Sequence, residues 1–466
     1  MGTQSSSTDL HIAVFPYFAF GHINPFVHIS NKLASHGIKI SFFSAPGNIP
    51  RIKASLSPSP LISIVPLTFP HVDGLPVGFE STADITPAIA ELLKVALDKM
   101  QPQIRSLLTE LKPDVVFFDF AQNWIPALAS ELGIKTVMFS VFSLISNSYL
   151  MTPARLSSDE IPTIEELKKP PQGYPNPNLS LKTFQAKDLL YPFRRFNGSP
   201  SALERNYAGI QGCDAIAYKS CHEMEGPYWS YFKKVIGKPI IMAGIPIPET
   251  SSSGDLDTNW ATWLAKFPPK SVTLCSFGSE TFLTDVQVQE LALGLELTKL
   301  PFLMVLSSNG FDQERLNKIL PEGFLERVKD RGLIHIGWVP QQKIMAHENV
   351  GCYVNHAGFG SVIEAIVTDC QLVLLPFKGD QFLNSKLLSL DMKVGVEVNR
   401  RDEDGHFGKE DIFEAVRIVT LDGDKEPGKN IRSNLVKWKE MLMNKEFEEK
   451  YVLELVKEVK GLVGKQ

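Results

Sequence analysis

The sequence predicts an α/β protein made of two halves, each built on a parallel β-sheet that helices cover on both faces. Two observations support this prediction: short, β-rich apolar runs alternate with helical patterns, and this alternation starts again after an interruption in mid-chain. Strands buried on both faces of a parallel sheet are expected to be continuous apolar runs, as these are. In addition, an amphipathic segment near the end of the chain predicts a last helix that covers apolar surface.

In the first half, four apolar runs predict strands, and the segments between them have helical character. Phe26, Ile29 and Leu33 repeat at helical spacing after the first run, and a helical stretch through Leu132 follows the third. The predicted strands are residues 12–15, 39–44, 115–118 and 136–142. The alternation breaks at residues 246–257, where the letters PIPETSSSGDLD have the composition of a linker.

In the second half, the alternation resumes with strands predicted at residues 272–277, 302–306, 333–336, 352–354 and 372–375. Residues 289–297 are predicted to be helical. In residues 447–463, one helical face carries Val452, Leu455, Val456 and Val459. We therefore expect a first domain at 1–245, a linker at 246–259, a second domain at 260–446 and a returning helix at 447–466.

Composition excludes several classes of protein. The 466 residues carry 47 Lys and Arg against 52 Asp and Glu, and this mild acidic balance gives no general attraction to nucleic acid. The five cysteines are irregularly spaced without a CxxC motif, which favours free thiols in a reducing compartment. We find no secretory signal at residues 1–8 and no apolar run near the ~20 residues of a membrane helix. A cytoplasmic protein is expected.

Ligands of open α/β sheets bind beyond the carboxyl ends of the strands, and two residues of the first half follow strands there. His22 follows the first strand; Asn24 as N-cap and Pro25 as first helical residue would leave it in the loop before a helix. Asp119 directly follows residues 115–118. The two could form a His–Asp pair in which the imidazole accepts a proton. Alternatively, His22 packs under a helix and Asp119 is a helix N-cap.

The second half has two loops of small residues after strands. Residues 356–361, HAGFGS, place His356 and two glycines before a predicted helix, and residues 276–279, SFGS, are similar. Glycines let the backbone approach a ligand, and the free N–H groups of a helix start favour phosphate oxygens. Neither loop matches the P-loop or the GxGxxG motif. Ser361 and Glu364 form S-x-x-E, which is either a capping box or an acid that binds a ribose diol.

Other polar and aromatic residues follow strands of the second half. Trp338 could stack on a nucleobase, or it could be an aromatic residue at the rim. Asp380 and Gln381 could bind sugar hydroxyls, or they could cap a helix. The D-x-D pairs lie in loops rather than directly after strands, so no metal site is expected. These pairs are Asp255 with Asp257, Asp402 with Asp404, and Asp422 with Asp424.

Taken together, residues 338–381 resemble the signature box of plant secondary-product glycosyltransferases, which belong to family 1 of the UDP-sugar-dependent enzymes. The box reads WVPQQKIMAHENVGCYVNHAGFGSVIEAIVTDCQLVLLPFKGDQ. Its opening W-x-P-Q, its H-x-G, its S-x-x-E and its closing D-Q fit that pattern, and His22 and Asp119 stand where the family has its catalytic pair. The resemblance implies the GT-B architecture, with two facing Rossmann-like domains and a C-terminal helix that returns to the first. It also implies donor binding by the second domain, acceptor binding mainly by the first, and an inverting, metal-independent transfer.

The resemblance also assigns residues to roles. His22 would be the general base, paired with Asp119. Trp338 would stack on uracil with Val339 and Gln341 beside it, Glu364 would hold the ribose, and Asp380 and Gln381 would hold the sugar. The diphosphate would meet His356 and Ser361, with Ser279 nearby. The whole donor set is Gly21, Ser279, Trp338, Val339, Gln341, His356, Gly358, Ser361, Glu364, Asp380 and Gln381.

Two residues of the box depart from the family pattern: Phe359 and Gly360 stand where most members have Trp and Asn. No donor-sugar role is carried onto them. Boxes of the form H-x-G-F-x-S, followed by FKGDQFLNSKL and VNRRDEDG, resemble the branch that extends sugars on glycosylated acceptors. Its members use UDP-glucose, UDP-xylose, UDP-rhamnose or UDP-arabinose.

Our leading hypothesis is therefore a monomeric enzyme that transfers a sugar to the sugar of a flavonoid or anthocyanin glycoside. UDP-sugar is its co-substrate and no other cofactor is expected. One alternative is direct glycosylation of a flavonoid or terpenoid aglycone, and another is a non-catalytic nucleotide-sugar binding protein. A dehydrogenase would suit the fold class, but the first strand–helix loop lacks GxGxxG.

Overall fold

The structure, a computed structural model, describes residues 10–82, 89–156, 160–196, 198–247, 256–278, 281–308 and 310–464. Two parallel sheets organise these residues. The strands of the first sheet are β1 His11–Phe15, β2 Lys39–Ser44, β3 Ile62–Pro66, β4 Val115–Phe118, β5 Lys135–Ser140, β6 Ala215–Tyr218 and β7 Ile240–Met242. Those of the second are β8 Val272–Cys275, β9 Phe302–Leu306, β10 Gly332–Ile336, β11 Val350–Asn355, β12 Gln371–Leu374 and β13 Gly395–Glu397.

Both sheets are doubly wound, so the direction in which successive strands are added reverses near the centre of each sheet. The first has seven strands in the order β3-β2-β1-β4-β5-β6-β7, and the second has six in the order β10-β9-β8-β11-β12-β13. Central strands such as β1, β4 and β11 are buried along their whole length, as expected for parallel sheets covered on both faces. The direction changes between β1 and β4, and between β8 and β11, which is where ligands bind in such sheets.

Helices connect the strands and cover the sheets. Those of the first half are α1 Phe20–Ser35, α2 Ile49–Ser55, α3 Ala90–Lys99, α4 Gln101–Leu111, α5 Ile125–Glu131, α6 Leu144–Leu150, α7 Pro153–Leu156, α8 Ile164–Leu167, α9 Thr183–Asp188, α10 Ala202–Gly212 and α11 His222–Ile236. Those of the second are α12 Thr258–Leu264, α13 Asp285–Thr298, α14 Gln313–Ile319, α15 Phe324–Val328, α16 Gln341–Ala346, α17 Phe359–Val367, α18 Gln381–Lys386, α19 Lys409–Val419 and α20 Gly428–Leu442, followed by α21 Lys445–Leu462. Short 3-10 turns lie at Pro46–Asn48 and Tyr191–Phe193, and a π-helical turn lies at Leu387–Asp391.

The last helix, α21, packs back on the first sheet, as the sequence predicts. Its apolar face is buried in the same cluster as side chains of β1, β2 and β4. Polar contacts hold its start: Glu448 lies 2.9 Å from the Lys32 ammonium, and the Tyr451 hydroxyl donates to Glu223 at 2.5 Å. This helix therefore connects the end of the chain to its first domain.

Hydrogen bonds also join the two halves directly. The Ser143 hydroxyl, at the start of α6, donates to Oδ1 of Asn384 in α18 at 2.6 Å. The backbone N–H of Gly379 donates to Asp188 at 2.7 Å, and the Thr183 hydroxyl donates to Asp402 at 2.6 Å. The two sheets are thus held with their ligand-binding edges near each other.

The predicted strands at 39–44, 115–118 and 302–306 coincide with β2, β4 and β9. Those at 136–142 and 272–277 run two residues too far, because Val141, Phe142 and Phe277 in the following loops continue the apolar pattern. Four strands are absent from the sequence prediction: β3, β6, β7 and β13. We propose the same domain limits, which are supported by the end of β7 at Met242 and the start of α12 at Thr258.

None of the helices in the described ranges combines the length and the apolar character needed to cross a membrane.

The five cysteines are buried and free, in agreement with the expected thiols.

Candidate active site

His22 and Asp119 form a hydrogen-bonded pair beyond the carboxyl ends of two neighbouring strands. Phe15 of β1 lies opposite Phe118 of β4, so the residues that follow them converge. Nδ1 of His22 lies 2.8 Å from Oδ2 of Asp119. An ionised carboxylate only accepts hydrogen bonds, and we therefore assign the proton to Nδ1, which leaves the lone pair on Nε2.

The Asp119 carboxylate is buried and is also held by the backbone. Oδ2 accepts the N–H of Tyr17 at 3.1 Å, and Oδ1 accepts the N–H of Phe120 at 2.7 Å. Its role as a helix N-cap, the alternative from sequence, is wrong because α5 begins only at Ile125. The three hydrogen bonds fix the carboxylate in one orientation toward the imidazole.

His22 lies in the first turn of α1, not in a loop before it. The N–H groups of His22 and Ile23 both donate to Ala19 at 2.8 Å, and Ala19 is the N-cap. The predicted start at Asn24 is wrong because the backbone turns into a helix without a side-chain cap. Gly21 precedes His22, and a Cβ added there would meet nothing within 4 Å.

Three aromatic rings surround the imidazole of His22. The centroids of Tyr17, Phe120 and Phe142 lie 5.4, 5.5 and 5.3 Å from its own. The side chain of His22 is nevertheless 14% exposed, so one edge of the ring is open. The rings restrict the position of the imidazole and surround it with apolar surface.

His356, directly after β11, lies beside two glycines of the second half. A Cβ at Gly358 would lie 2.4 Å from Nε2 of His356, and one at Gly278 would lie 3.3 Å from Cε1. The imidazole therefore occupies space that side chains at these positions would fill. Gly358 is the N-cap of α17 and offers no side-chain acceptor. The first N–H groups of α17 are thus suited to a diphosphate.

Glu364 takes part in a network of amides on α16 and α17. Its Oε2 accepts from the Gln341 side chain at 3.1 Å and its Oε1 accepts from Gln342 at 2.7 Å. Burial raises the pKa of Glu364, while these two amides lower it. The capping box with Ser361 is wrong, because α17 begins at Phe359 and both side chains lie inside the helix.

Gln341 connects this network to the centre of the second sheet. Its Oε1 accepts from the hydroxyls of Ser276 at 2.8 Å and Tyr353 at 3.1 Å. Two residues earlier, Val339 is buried. Trp338 itself is 81% exposed, so its indole presents a free face beyond β10. An exposed indole beside a buried polar network is suited to stacking on a nucleobase.

Asp380 and Gln381 lie at the start of α18 without capping it through side-chain hydrogen bonds. Oε1 of Gln381 accepts the N–H groups of Phe377 and Lys378 at 3.0 and 3.2 Å. Oδ2 of Asp380 accepts from Asn384 at 3.1 Å. Burial raises the pKa of Asp380, against the Asn384 hydrogen bond and the positive charges of Lys219 and His22, which lower it.

Phe142, whose ring contacts His22, precedes Ser143, which donates to Asn384, and Asn384 in turn donates to Asp380. The structure thus brings the first-half pair near the predicted sugar-binding residues of the second half. Ser279 lies outside the described residues. Lys219, which follows β6, is a residue of this region that the sequence prediction misses. The only available signal was its place after a strand, and β6 itself was not predicted. Across the described part of the chain, no cluster of three or more His, Cys, Asp or Glu residues could hold a metal ion.

A family model described as "UDP-glucoronosyl and UDP-glucosyl transferase" matches residues 270–431. Among curated proteins, an anthocyanidin-3-O-glucoside rhamnosyltransferase of Petunia hybrida is 57% identical, over 98% of both chains. A cyanidin 3-O-galactoside 2''-O-xylosyltransferase of Actinidia chinensis var. chinensis is 41% identical, over 97% of this chain and 99% of its own.

Among solved structures, a glycosyltransferase of Glycyrrhiza uralensis complexed with glycyrrhetinic acid 3-O-monoglucuronide superposes with a TM-score of 0.80. It is 25% identical and covers 98% of this chain and 96% of its own. Agreement over nearly the whole length confirms the GT-B fold. The two facing sheets, the match in the second half and the full-length relatives lead to one conclusion: the chain belongs to the UDP-glucuronosyl and UDP-glucosyl transferase family, and it is a UDP-glycosyltransferase.

Proposed function

We propose that this enzyme transfers a sugar from a UDP-sugar to a hydroxyl on the sugar of a flavonoid or anthocyanin glycoside, with inversion and without a metal ion. The observation that carries the proposal is the His22–Asp119 pair, which Phe142 and the Ser143–Asn384 hydrogen bond connect to Asp380 across the boundary between the halves. A base in the first half and a donor site in the second are what the acceptor hydroxyl needs to displace UDP directly.

His22 acts as the general base. An acceptor hydroxyl loses its proton to Nε2 as its oxygen attacks the anomeric carbon, and Asp119 then stabilises the imidazolium through Nδ1. Sugar hydroxyls are far less acidic than phenols, so the reaction depends strongly on this base. The oxygen attacks on the face opposite to the departing UDP, and this single displacement inverts the anomeric centre.

The second half holds the donor and its leaving group. UDP departs as an anion, and the N–H groups at the start of α17 together with His356 and Ser361 stabilise its diphosphate. The indole of Trp338 stacks on uracil, and Glu364 accepts hydrogen bonds from the ribose. Asp380 and Gln381 bind the sugar that is transferred.

The acceptor and donor classes are supported by the named relatives. The Petunia protein is named for rhamnosyl transfer with an anthocyanidin 3-O-glucoside, and the Actinidia protein for xylosyl transfer with a cyanidin 3-O-galactoside at 2''. Both acceptors already carry a sugar. UDP-rhamnose is therefore the first donor to test, followed by UDP-xylose, UDP-glucose and UDP-arabinose.

The test is product analysis. The purified enzyme is incubated with each of the four UDP-sugars and with either cyanidin 3-O-glucoside or cyanidin, and the products are analysed by mass spectrometry. We expect a diglycoside from the glucoside that loses both sugars as one unit on fragmentation. Glycosylation of cyanidin itself, or separate loss of the two sugars, would contradict the proposed acceptor site.

A further inference from the structure

Lys219 carries a buried positive charge at the boundary between the two halves. It directly follows β6, at the same edge of the first sheet as His22 and Asp119, and it is 7% exposed. Its Nζ lies 5.2 Å from the centroid of the Phe359 ring, the first residue of α17 in the second half. The side chain thus extends from the first half over the donor site of the second.

The ammonium of Lys219 lacks the partners that a buried lysine normally has. Within the described ranges, the ring of Phe359 is its contact, and it makes no hydrogen bond or ion pair there. Lys94 is also 7% exposed, yet its Nζ lies 2.8 Å from both carboxylate oxygens of Glu91. Because charged groups are rarely buried unpaired, a lysine like Lys219 is expected to serve a ligand.

The surroundings of Lys219 keep it charged although it is buried. Burial lowers its pKa to about 8, while the charges of Asp380, Asp119 and Glu225 raise it. Most of the population is therefore protonated at pH 7. None of these carboxylates lies within ion-pair distance in the described structure, so the ammonium retains its donors for a ligand.

Open space lies next to Phe359, the residue whose ring Lys219 contacts. A Cβ added at Gly360, next to Phe359 on α17, would meet nothing within 4 Å. Asp380 supplies hydrogen-bond acceptors on the same side of the boundary as Gly360. Sugar hydroxyls both donate and accept hydrogen bonds, so an acidic acceptor and an ammonium donor form a complementary pair around them.

We propose that Lys219 donates a hydrogen bond to a hydroxyl of the sugar of bound UDP-sugar and thereby helps to select the sugar that is transferred. The proposal rests on the donor site of the proposed function but not on its acceptor. The acceptor half thus supplies a contact to the donor. This contact forms only while the two halves are together. Selection of the sugar therefore depends on the contact between the halves.

The test compares the binding of UDP with that of UDP-rhamnose, UDP-xylose, UDP-glucose and UDP-arabinose by calorimetry, without acceptor. Lys219→Met keeps the length and the apolar stem but removes the charge. We expect the affinity for the best wild-type UDP-sugar to fall about 10- to 100-fold, as for a lost charge-assisted hydrogen bond, with UDP affinity nearly unchanged. Lys219→Arg should retain part of the affinity and change the order of preference.

Lys94→Met is the matched control, because it removes an equally buried lysine that already has a partner. Its melting temperature is expected to fall while the UDP-sugar to UDP affinity ratio stays as in the wild type. An equal loss of UDP and UDP-sugar affinity in Lys219→Met would place the contact on the diphosphate and overturn the proposal. Unchanged affinity for all four UDP-sugars would overturn it as well. Because no acceptor is present, a wrong acceptor assignment leaves the result unaffected.

Discussion

The two nitrogens of the His22 ring have separate tasks. Nδ1 is held at 2.8 Å by a carboxylate that three hydrogen bonds orient, and this contact leaves Nε2 to accept a proton. Tyr17, Phe120 and Phe142 keep the ring in place. The base is thus prepared before any substrate binds, which reduces the reorganisation that the reaction requires.

Replacement of the base separates chemistry from donor binding. His22→Ala should lower kcat by about 10²- to 10⁴-fold, the usual contribution of a positioned base, while UDP affinity stays near the wild-type value. Single-turnover kinetics and UDP titration measure the two effects. Asp119→Asn should give a smaller loss, because the amide oxygen can still accept from Nδ1 but carries no charge. Wild-type turnover by His22→Ala on a glycoside acceptor would refute the assignment.

Glu364 offers a second test at the residue scale. Glu364→Gln keeps the size of the side chain and removes its charge, so UDP affinity should fall about 10-fold if the carboxylate binds the ribose. The free energy of unfolding should change by less than about 1 kcal/mol, since the variant also removes a buried charge. Calorimetric UDP binding and thermal melting distinguish the two effects. A loss of stability with unchanged UDP affinity would indicate a purely structural carboxylate.

At the scale of elements, Glu225 of α11 joins the start of α6 to the start of α11. Its Oε1 accepts the N–H of Ile145 in the first turn of α6 at 2.8 Å. Its Oε2 accepts from the Ser220 hydroxyl just before α11 at 2.6 Å. The carboxyl is fully buried, and burial raises its pKa to about 7. The position of α6, which also carries contacts to the second half, therefore depends on one titratable group.

The raised pKa of Glu225 predicts a pH dependence of stability. The folded state holds the proton more tightly than the unfolded state, whose pKa is near 4.5, so stability is lost as pH rises from about 4.5 to about 7. The shift corresponds to up to about 3 kcal/mol. Glu225→Gln lacks this loss, so its melting temperature relative to the wild type should be higher at pH 8 than at pH 5. A difference that does not vary with pH would contradict the assignment.

Local sequence predicted the strands with bulky, continuous apolar runs, and it missed β3, β6, β7 and β13. The runs of β2, β4 and β9 are apolar over most of their length, whereas β7 and β13 have only three residues each. The starts of α1 and α17 were misplaced because their N-caps, Ala19 and Gly358, use no side chain. His22 and Asp119 were predicted because each follows a recognisable strand. Lys219 was not, because β6, the strand that it follows, was not predicted.

At the scale of the whole molecule, α21 stabilises the first domain although it lies outside the sequence range of that domain. The residues Val452, Leu455 and Val459 on its inner face are buried with the first sheet, and the Tyr451 hydroxyl accepts the N–H of His222 at 2.8 Å. Since α21 follows α20 of the second half directly, the same short connection ties the two halves together. The returning helix is thus part of the first core.

A pair of substitutions on α21 tests this role. Val459 is 0% exposed and Leu453, on the same helix, is 50% exposed. Val459→Asp buries a charge, so the free energy of unfolding should fall by about 3 kcal/mol or more, whereas Leu453→Asp should change it by about 0.5 kcal/mol at most. Denaturant titration measures both. Equal effects of the two substitutions would show that the inner face is not packed.

The hydrogen bonds between the halves have a kinetic consequence. Three of them, Ser143 to Asn384, Gly379 to Asp188 and Thr183 to Asp402, span the boundary. We expect these bonds to break before a bulky glycoside or UDP is released. Where the chemical step is fast, separation of the two halves limits turnover. We therefore expect kcat to fall as the viscosity of the solvent is raised.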